Sequence, residues 1–232
     1  MKTIFIITLF FYFVLLDLFQ TLSADFNSIP ANSMNENSIK FILQDSLMNL
    51  KKQAIVDCDY SLEEALIGSA ASDDIKNNLA LVDVYYYSFD EKIHKGQIVI
   101  HRFLAKDIIE IFDLILLNKF PISKVIPIVS YNWSDNFSMN DNNTSCFNHR
   151  LVAGTKKISN HAYGLAIDIN PKLNPYIKGS RISPEGAKYD SKIPGTILPD
   201  SLLVNSFKKR GWTWGGDWIT RKDYQHFEKI IE

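Results

Sequence analysis

The stretch Leu79 to Phe89 (LALVDVYYYSF) is apolar and rich in Val and Tyr, a pattern that predicts a strand. Gln97 to His101 (QIVIH) predicts its partner, with Asp90 to Gly96 as the hairpin connection. Apolar residues then recur at positions 104, 108, 109, 112, 115 and 116, which is helical spacing, and Pro121 stops the helix predicted for Leu104 to Leu117. Val125 to Tyr131 (VIPIVSY) predicts a further strand, which Pro127 places at an edge or a bulge. Leu165 to Ile169 predicts a short buried strand, Leu202 to Lys209 a short helix ended by Gly211, and the chain closes on a strand near His226.

Polar tracts separate these elements. Residues 25–45 are rich in Asn and Ser and predict a linker with little structure. Residues 132–160 predict a long polar loop, a feature that compact domains seldom carry without a use for it. Residues 170–200 predict a Pro/Gly/Ser-rich connection. The expected organisation is a signal segment at 1–24, a polar extension at 25–59 and one domain at 60–232. Its class is α+β, a small antiparallel sheet with flanking helices.

Composition narrows the function only by exclusion. A net charge of -1 offers no global attraction for nucleic acid or an anionic membrane. The N-terminus says more, because Lys2, the apolar run Ile4 to Leu16 and the small residues of Thr21 to Ala24 form a secretory-signal pattern. A secreted or periplasmic protein is expected, with membrane attachment only if the segment stays uncleaved. Two cysteines, Cys58 and Cys146, either pair in an oxidising compartment or remain buried thiols, and both readings stand.

The chemistry concentrates in the C-terminal half. His161 lies in SNHAYGLAIDIN with Asp168 seven residues on, and His226 lies in RKDYQHFEKI. Two imidazoles and a carboxylate, with a fourth position left open, suit a catalytic divalent metal. The spacing alone also fits a partly buried imidazole in a turn. Gly164 permits that turn, and the apolar Ala166-Ile167 strand carries Asp168 inward, where a carboxylate needs a compensating partner. Trp212, Trp214 and Trp218 read as core and pocket wall. Gly215-Gly216 implies a close backbone approach, and Asp217 is a candidate acceptor for a ligand histidine's second nitrogen. No HExxH, GxSxG, GxxxxGK[ST] or GxGxxG motif is present.

Three ordered motifs carry a resemblance: SxHxxGxAxD at Ser159 to Asp168, GWxWGGDW at Gly211 to Trp218, and DYxHFE at Asp223 to Glu228. Together they resemble the VanY-like zinc peptidases, which comprise D-alanyl-D-alanine carboxypeptidases and L-alanyl-D-glutamate endopeptidases. The resemblance spans roughly residues 60–230 and implies the hedgehog/DD-peptidase-like fold. It implies that His161, Asp168 and His226 hold one Zn2+ per chain and that Asp223 is the general base. Arg150 would steady the oxyanion or the substrate carboxylate, while Ser159 and Tyr163 would line the pocket. The implied substrate is a peptidoglycan-derived peptide, and a monomer is expected. Here His149 stands where many relatives have Cys, and Cys146 comes earlier, so a family disulfide does not carry over. A non-catalytic zinc-binding module of the same fold is the competing reading. An endolysin-type hydrolase of foreign walls is a third.

Overall fold

Alternation and helical spacing become an α+β architecture in a computed structural model that describes residues 36–231. The signal segment expected at 1–24 and the first part of the linker lie outside the described residues. The chain divides into a unit ending at Leu50 and a second unit from Lys51 to Glu232. The described part of the first is helix α1 (Glu36–Lys51), where polar composition had predicted a linker. Its less exposed positions, Ile42, Leu43, Ser46, Leu47 and Leu50, recur every three to four residues. An amphipathic helix therefore hides inside an Asn-rich text. No helix of the described residues is long and apolar enough to cross a membrane.

The second unit begins before residue 60. Strand β1 (Ile55–Val56) pairs parallel with the hairpin that follows. Two one-turn helices, α2 (Leu62–Ala65) and α3 (Asp73–Lys76), are N-capped by Ser61 and Ser72. The hairpin itself, β2 (Leu79–Tyr87) and β3 (Ile93–His101), is longer than expected because its connection is only Ser88 to Lys92. Polar residues assigned to the turn are strand residues held by charge: Lys95 Nζ lies 2.9 Å from Asp59 and 3.3 Å from Asp83. Gly96 is there because a Cβ would stand 2.1 Å from the Val125 carbonyl oxygen.

Helix α4 (Ala105–Leu117) matches its periodicity and buries Ile108, Ile111, Phe112, Ile115 and Leu116. Ile108, Ile111, Phe112 and Ile115 share one core with Val82, Val84, Ile98 and Ile100 of the hairpin. The strand predicted at Val125 to Tyr131 is mostly a different element. Only β4 (Lys124–Val125) is extended, and after Pro127, which has no N–H for a ladder, the chain turns into a 3-10 helix at Ile128–Tyr131.

The polar tract 132–160 is not an open loop. It contains helix α5 (Asp135–Asn140) and strand β5 (Asn143–Thr144), and Ser138, Asn143, Thr144 and Asn148 are all buried. Asn143 replaces missing ladder bonds, its amide accepting from Ile126 N and donating to Ile126 O, each at 2.9 Å. Strand β6 (Ala166–Asp168) follows, then a hairpin of β7 (Tyr176–Lys178) and β8 (Arg181–Ser183) inside the expected connection. Helix α6 (Leu202–Lys209) lies at its predicted residues. Strands β9 (Thr213–Trp214), β10 (Lys222–Asp223) and β11 (His226–Glu228) complete the chain.

The one small sheet expected is instead several: β1-β3-β2, β10-β7-β8, β6-β11-β9 and the pair β4-β5. Phe227 of β11 stacks on Phe207 of α6 at 4.0 Å, which ties the third sheet to the common core.

One charged clasp joins β1 to the hairpin. His94 Nδ1 is 2.9 Å from Asp57 and its Nε2 is 3.2 Å from Asp90, so only the doubly protonated ring donates to both carboxylates. Burial lowers the His94 pKa, but the two carboxylates outweigh it and the net direction is upward. The raised folded value gives a stabilisation that is complete below the ordinary ~6.5 and lost as pH rises through the folded pKa. Thermal melts of wild type and His94→Gln should therefore differ most near pH 6 and converge at alkaline pH. A gap constant from pH 6 to 9 would show that the clasp is not ionic.

Candidate metal centre

Two local devices place His161. Ser159 caps the 3-10 turn Asn160–Tyr163, its Oγ accepting from His161 N at 3.3 Å. Gly164 closes the turn at φ 67°, and a Cβ there would stand 2.6 Å from His101 N, so the turn lies flat on β3. The other two residues are placed by register. His226 of β11 is directly opposite Asp168 of β6, with Phe227 opposite Ile167 and Glu228 opposite Ala166. Strand alternation sends Ile167 and Phe227 into the core and turns Asp168 and His226 to the same side.

The hydrogen bonds around these rings decide what they offer. His161 Nδ1 donates to the Cys146 carbonyl at 2.6 Å, leaving Nε2 as a bare lone pair. His226 Nε2 faces Glu228 Oε2 at 3.1 Å, which leaves Nδ1 turned inward. That Nδ1 is 2.9 Å from Asp168 Oδ1 and 3.3 Å from His161 Nε2, while Asp168 Oδ2 is 3.3 Å from His161 Nε2. Three acceptors thus converge, all within 4.8 Å of one another, in residues only 3%, 7% and 8% exposed. A single shared proton satisfies one of these contacts. A cation at the centre satisfies all of them, so the donor set fits a metal. The same demand for positive charge acts on His226, whose pKa is raised to about 10, against burial, by its bonds to Asp168 and Glu228. Asp168 stands well below the usual carboxylate range, because the histidines outweigh the burial that would raise it.

Asp223 lies beside the cluster on β10. Burial raises its carboxyl to about 7, with His226 opposing and Asp168 reinforcing the rise. Its Oδ1 is buried and has no hydrogen-bond partner. Gly215 makes room for it, since a Cβ there would be 2.5 Å from Asp223 O and 2.8 Å from its Cβ, the close approach that Gly215-Gly216 implied.

Other expected residues fare differently. Arg150 is an ion-pair residue, its Nε 3.0 Å from Asp135 of α5, although that N–H is not aligned for a hydrogen bond. Ser159 is buried, and its hydroxyl caps the turn that carries His161. Tyr163, 36% exposed on the same turn, remains open to a ligand. Trp212 and Trp214 are core, and half-buried Trp218 lies 5.6 Å from the His226 ring with the Arg221 guanidinium 4.3 Å from its own ring centre. Asp217 binds Lys208 at 2.7 Å and not a histidine. The acceptor role falls to Glu228, which sequence reasoning passed over. The signal was available, because a residue two positions along a strand shares the histidine's face. Cys58 and Cys146 are both free thiols.

Residues 153–229 match the family model described as D-alanyl-D-alanine carboxypeptidase, a segment that contains the whole cluster and Asp223. This segment is thus similar to the D-alanyl-D-alanine carboxypeptidase family. Comparison with curated proteins and with solved structures gives no match. The mixed α+β architecture with its several small sheets accords with the hedgehog/DD-peptidase fold that this similarity implies.

Metal analysis of the purified protein should give one tightly held divalent ion. His161→Ala and Asp168→Ala should each weaken chelator-resistant binding by at least ~10²-fold, a ligand's share of a site worth ~10–16 kcal/mol. Unchanged metal content in either variant would remove that residue from the ligand set.

Proposed function

We propose that this chain is a zinc-dependent peptidase acting on peptidoglycan stem peptides at a bond that involves a D-amino acid. The observation that carries this reading is the cluster of His161, Asp168 and His226 beside the Asp223 carboxylate, one oxygen of which is buried without a partner, all within the segment similar to the carboxypeptidase family. Two nitrogens and one oxygen suit zinc, which accepts three protein ligands and keeps a fourth position for chemistry. When bound, zinc supplies a Lewis acid that polarises a carbonyl and acidifies water.

The remaining work belongs to the chain's own residues. Asp223 has a free Oδ1 that can take a proton from the attacking water and return it to the leaving amine. Burial raises this carboxyl above the ordinary carboxylate range, which strengthens it as a proton acceptor. Trp218 and Arg221 offer a wall and a positive charge near His226, which suits a peptide ending in a carboxylate. A service by Arg150 to the oxyanion or that carboxylate requires it to leave Asp135, and substrate binding is the event that would exchange those partners. The non-catalytic module of the same fold is disfavoured by Asp223, because a purely structural site gains nothing from a buried carboxylate without a partner. The signal-like pattern from Lys2 to Ala24 supports export to the compartment where wall peptides lie.

The deciding experiment incubates zinc-loaded protein with stem peptides ending in D-Ala-D-Ala and reads the products by mass spectrometry. Release of one D-Ala, abolished by a chelator and restored by zinc, is expected; an intact peptide with fully loaded protein would sink the proposal. An internal cut would move the assignment to an endopeptidase. Asp223→Ala should keep zinc and lose on the order of 10²–10⁴ in rate. Because the base must be ionised, wild-type kcat/KM should fall on the acid side as Asp223 takes up a proton, with a slope of one proton. An unaltered acid limb in Asp223→Asn would end the general-base assignment.

A further inference from the structure

We infer that Glu228 and Asn160 form a positioning brace that fixes which nitrogen of His226 faces the metal and ties the two histidine-bearing segments together. The inference rests on the metal reading above. Glu228 Oε2 accepts from His226 Nε2 at 3.1 Å and from Asn160 Nδ2 at 2.7 Å. Asn160 directly precedes His161, so a single carboxylate holds the ring of one ligand and the turn that carries the other. The two partners of that carboxylate come from segments far apart in the chain, and no other side-chain hydrogen bond among the described residues joins the Asn160 turn to β11 except the contact between the two ligand rings themselves.

Strand geometry makes the brace possible. Glu228 is two residues beyond His226 and therefore on its face of β11, and the residue opposite is Ala166, whose methyl leaves the carboxylate space. An imidazole can turn only one nitrogen toward the cluster. With Nε2–H held by Glu228, Nδ1 is the nitrogen that meets Asp168 and His161. His161 is fixed the opposite way, its Nδ1–H on the Cys146 carbonyl and its Nε2 inward. The two rings thus present different nitrogens, and each orientation is enforced from behind, one by a main-chain carbonyl and one by a carboxylate. Without Glu228 the ring of His226 is free to rotate and a half-buried N–H loses its acceptor. Without Asn160 the carboxylate keeps the ring but releases the His161 turn.

The test compares wild type, Glu228→Ala, Glu228→Gln and Asn160→Ala for zinc affinity by chelator competition. It adds ¹⁵N NMR of the His226 ring in the zinc-loaded proteins and thermal melts in chelator. Glu228→Ala should bind zinc ~10–100-fold more weakly and lose the protected His226 Nε2–H signal. Glu228→Gln, which keeps an acceptor oxygen, should recover most of both, and Asn160→Ala should lie between. Melts in chelator separate a general folding defect, because a purely structural Glu228 would lower them without moving zinc affinity in the proteins that fold. Wild-type zinc affinity in Glu228→Ala, with Nε2–H still protected, would overturn the brace and leave the metal site standing. Absence of zinc binding in wild type would instead overturn the metal reading itself.

Discussion

Three candidate ligand atoms, His161 Nε2, His226 Nδ1 and the Asp168 carboxylate, converge in a buried site. A buried carboxylate between two imidazoles demands positive charge, from a proton shared with His226 or from a metal. The arrangement holds because its bearers are fixed from outside the site. The Cys146 carbonyl fixes one ring, Glu228 fixes the other, and the antiparallel register of β6 against β11 sets Asp168 opposite His226. The core behind is continuous through Ile167, Phe227, Phe207 and Trp214, so a shift of register would cost apolar burial as well as the site.

The same economy appears in the polar tracts. Asn143, Asn170 and Asn174 are fully buried and bind main-chain groups that no ladder reaches. Asn170 accepts from Ser123 N and donates to the carbonyls of Pro121 and Gly195, while Asn174 accepts from Ile197 N. Irregular segments around the site are thereby as internally satisfied as a sheet. That satisfaction lets long connections flank a centre whose geometry must be held to tenths of an ångström.

Elements with strong local signals were legible in the chain: the hairpin strands, α4, α6, β6 and β11, whose burial follows from their own periodicity. The His161–Asp168 part of the cluster carried local signals, a glycine turn and an apolar strand, whereas His226, distant in the chain, was joined to it only by the family resemblance. What failed did so where long-range partners overrule composition. Asp57 and Asp59, far from the hairpin in sequence, draw His94 and Lys95 into β3. Buried asparagines disguise a packed segment as a loop, and Pro127 diverts a strand-like run into a 3-10 turn. Arg150 looked free for substrate because Asp135, its partner, lies on a helix the composition did not announce.

The sequence by itself determined which side chains could hold a metal and on which short elements they ride, because ligand chemistry and strand or turn propensity are local properties. It also bounded the reaction, since no other nucleophile or nucleotide motif competes. Only the tertiary structure decided that His226 turns Nδ1 inward, that Glu228 and not Asp217 stands behind it, and that Asp223 keeps an oxygen without a partner. Each of those facts depends on groups brought together across strand pairings and turns, and the register that aligns them is set by the packing of the whole core.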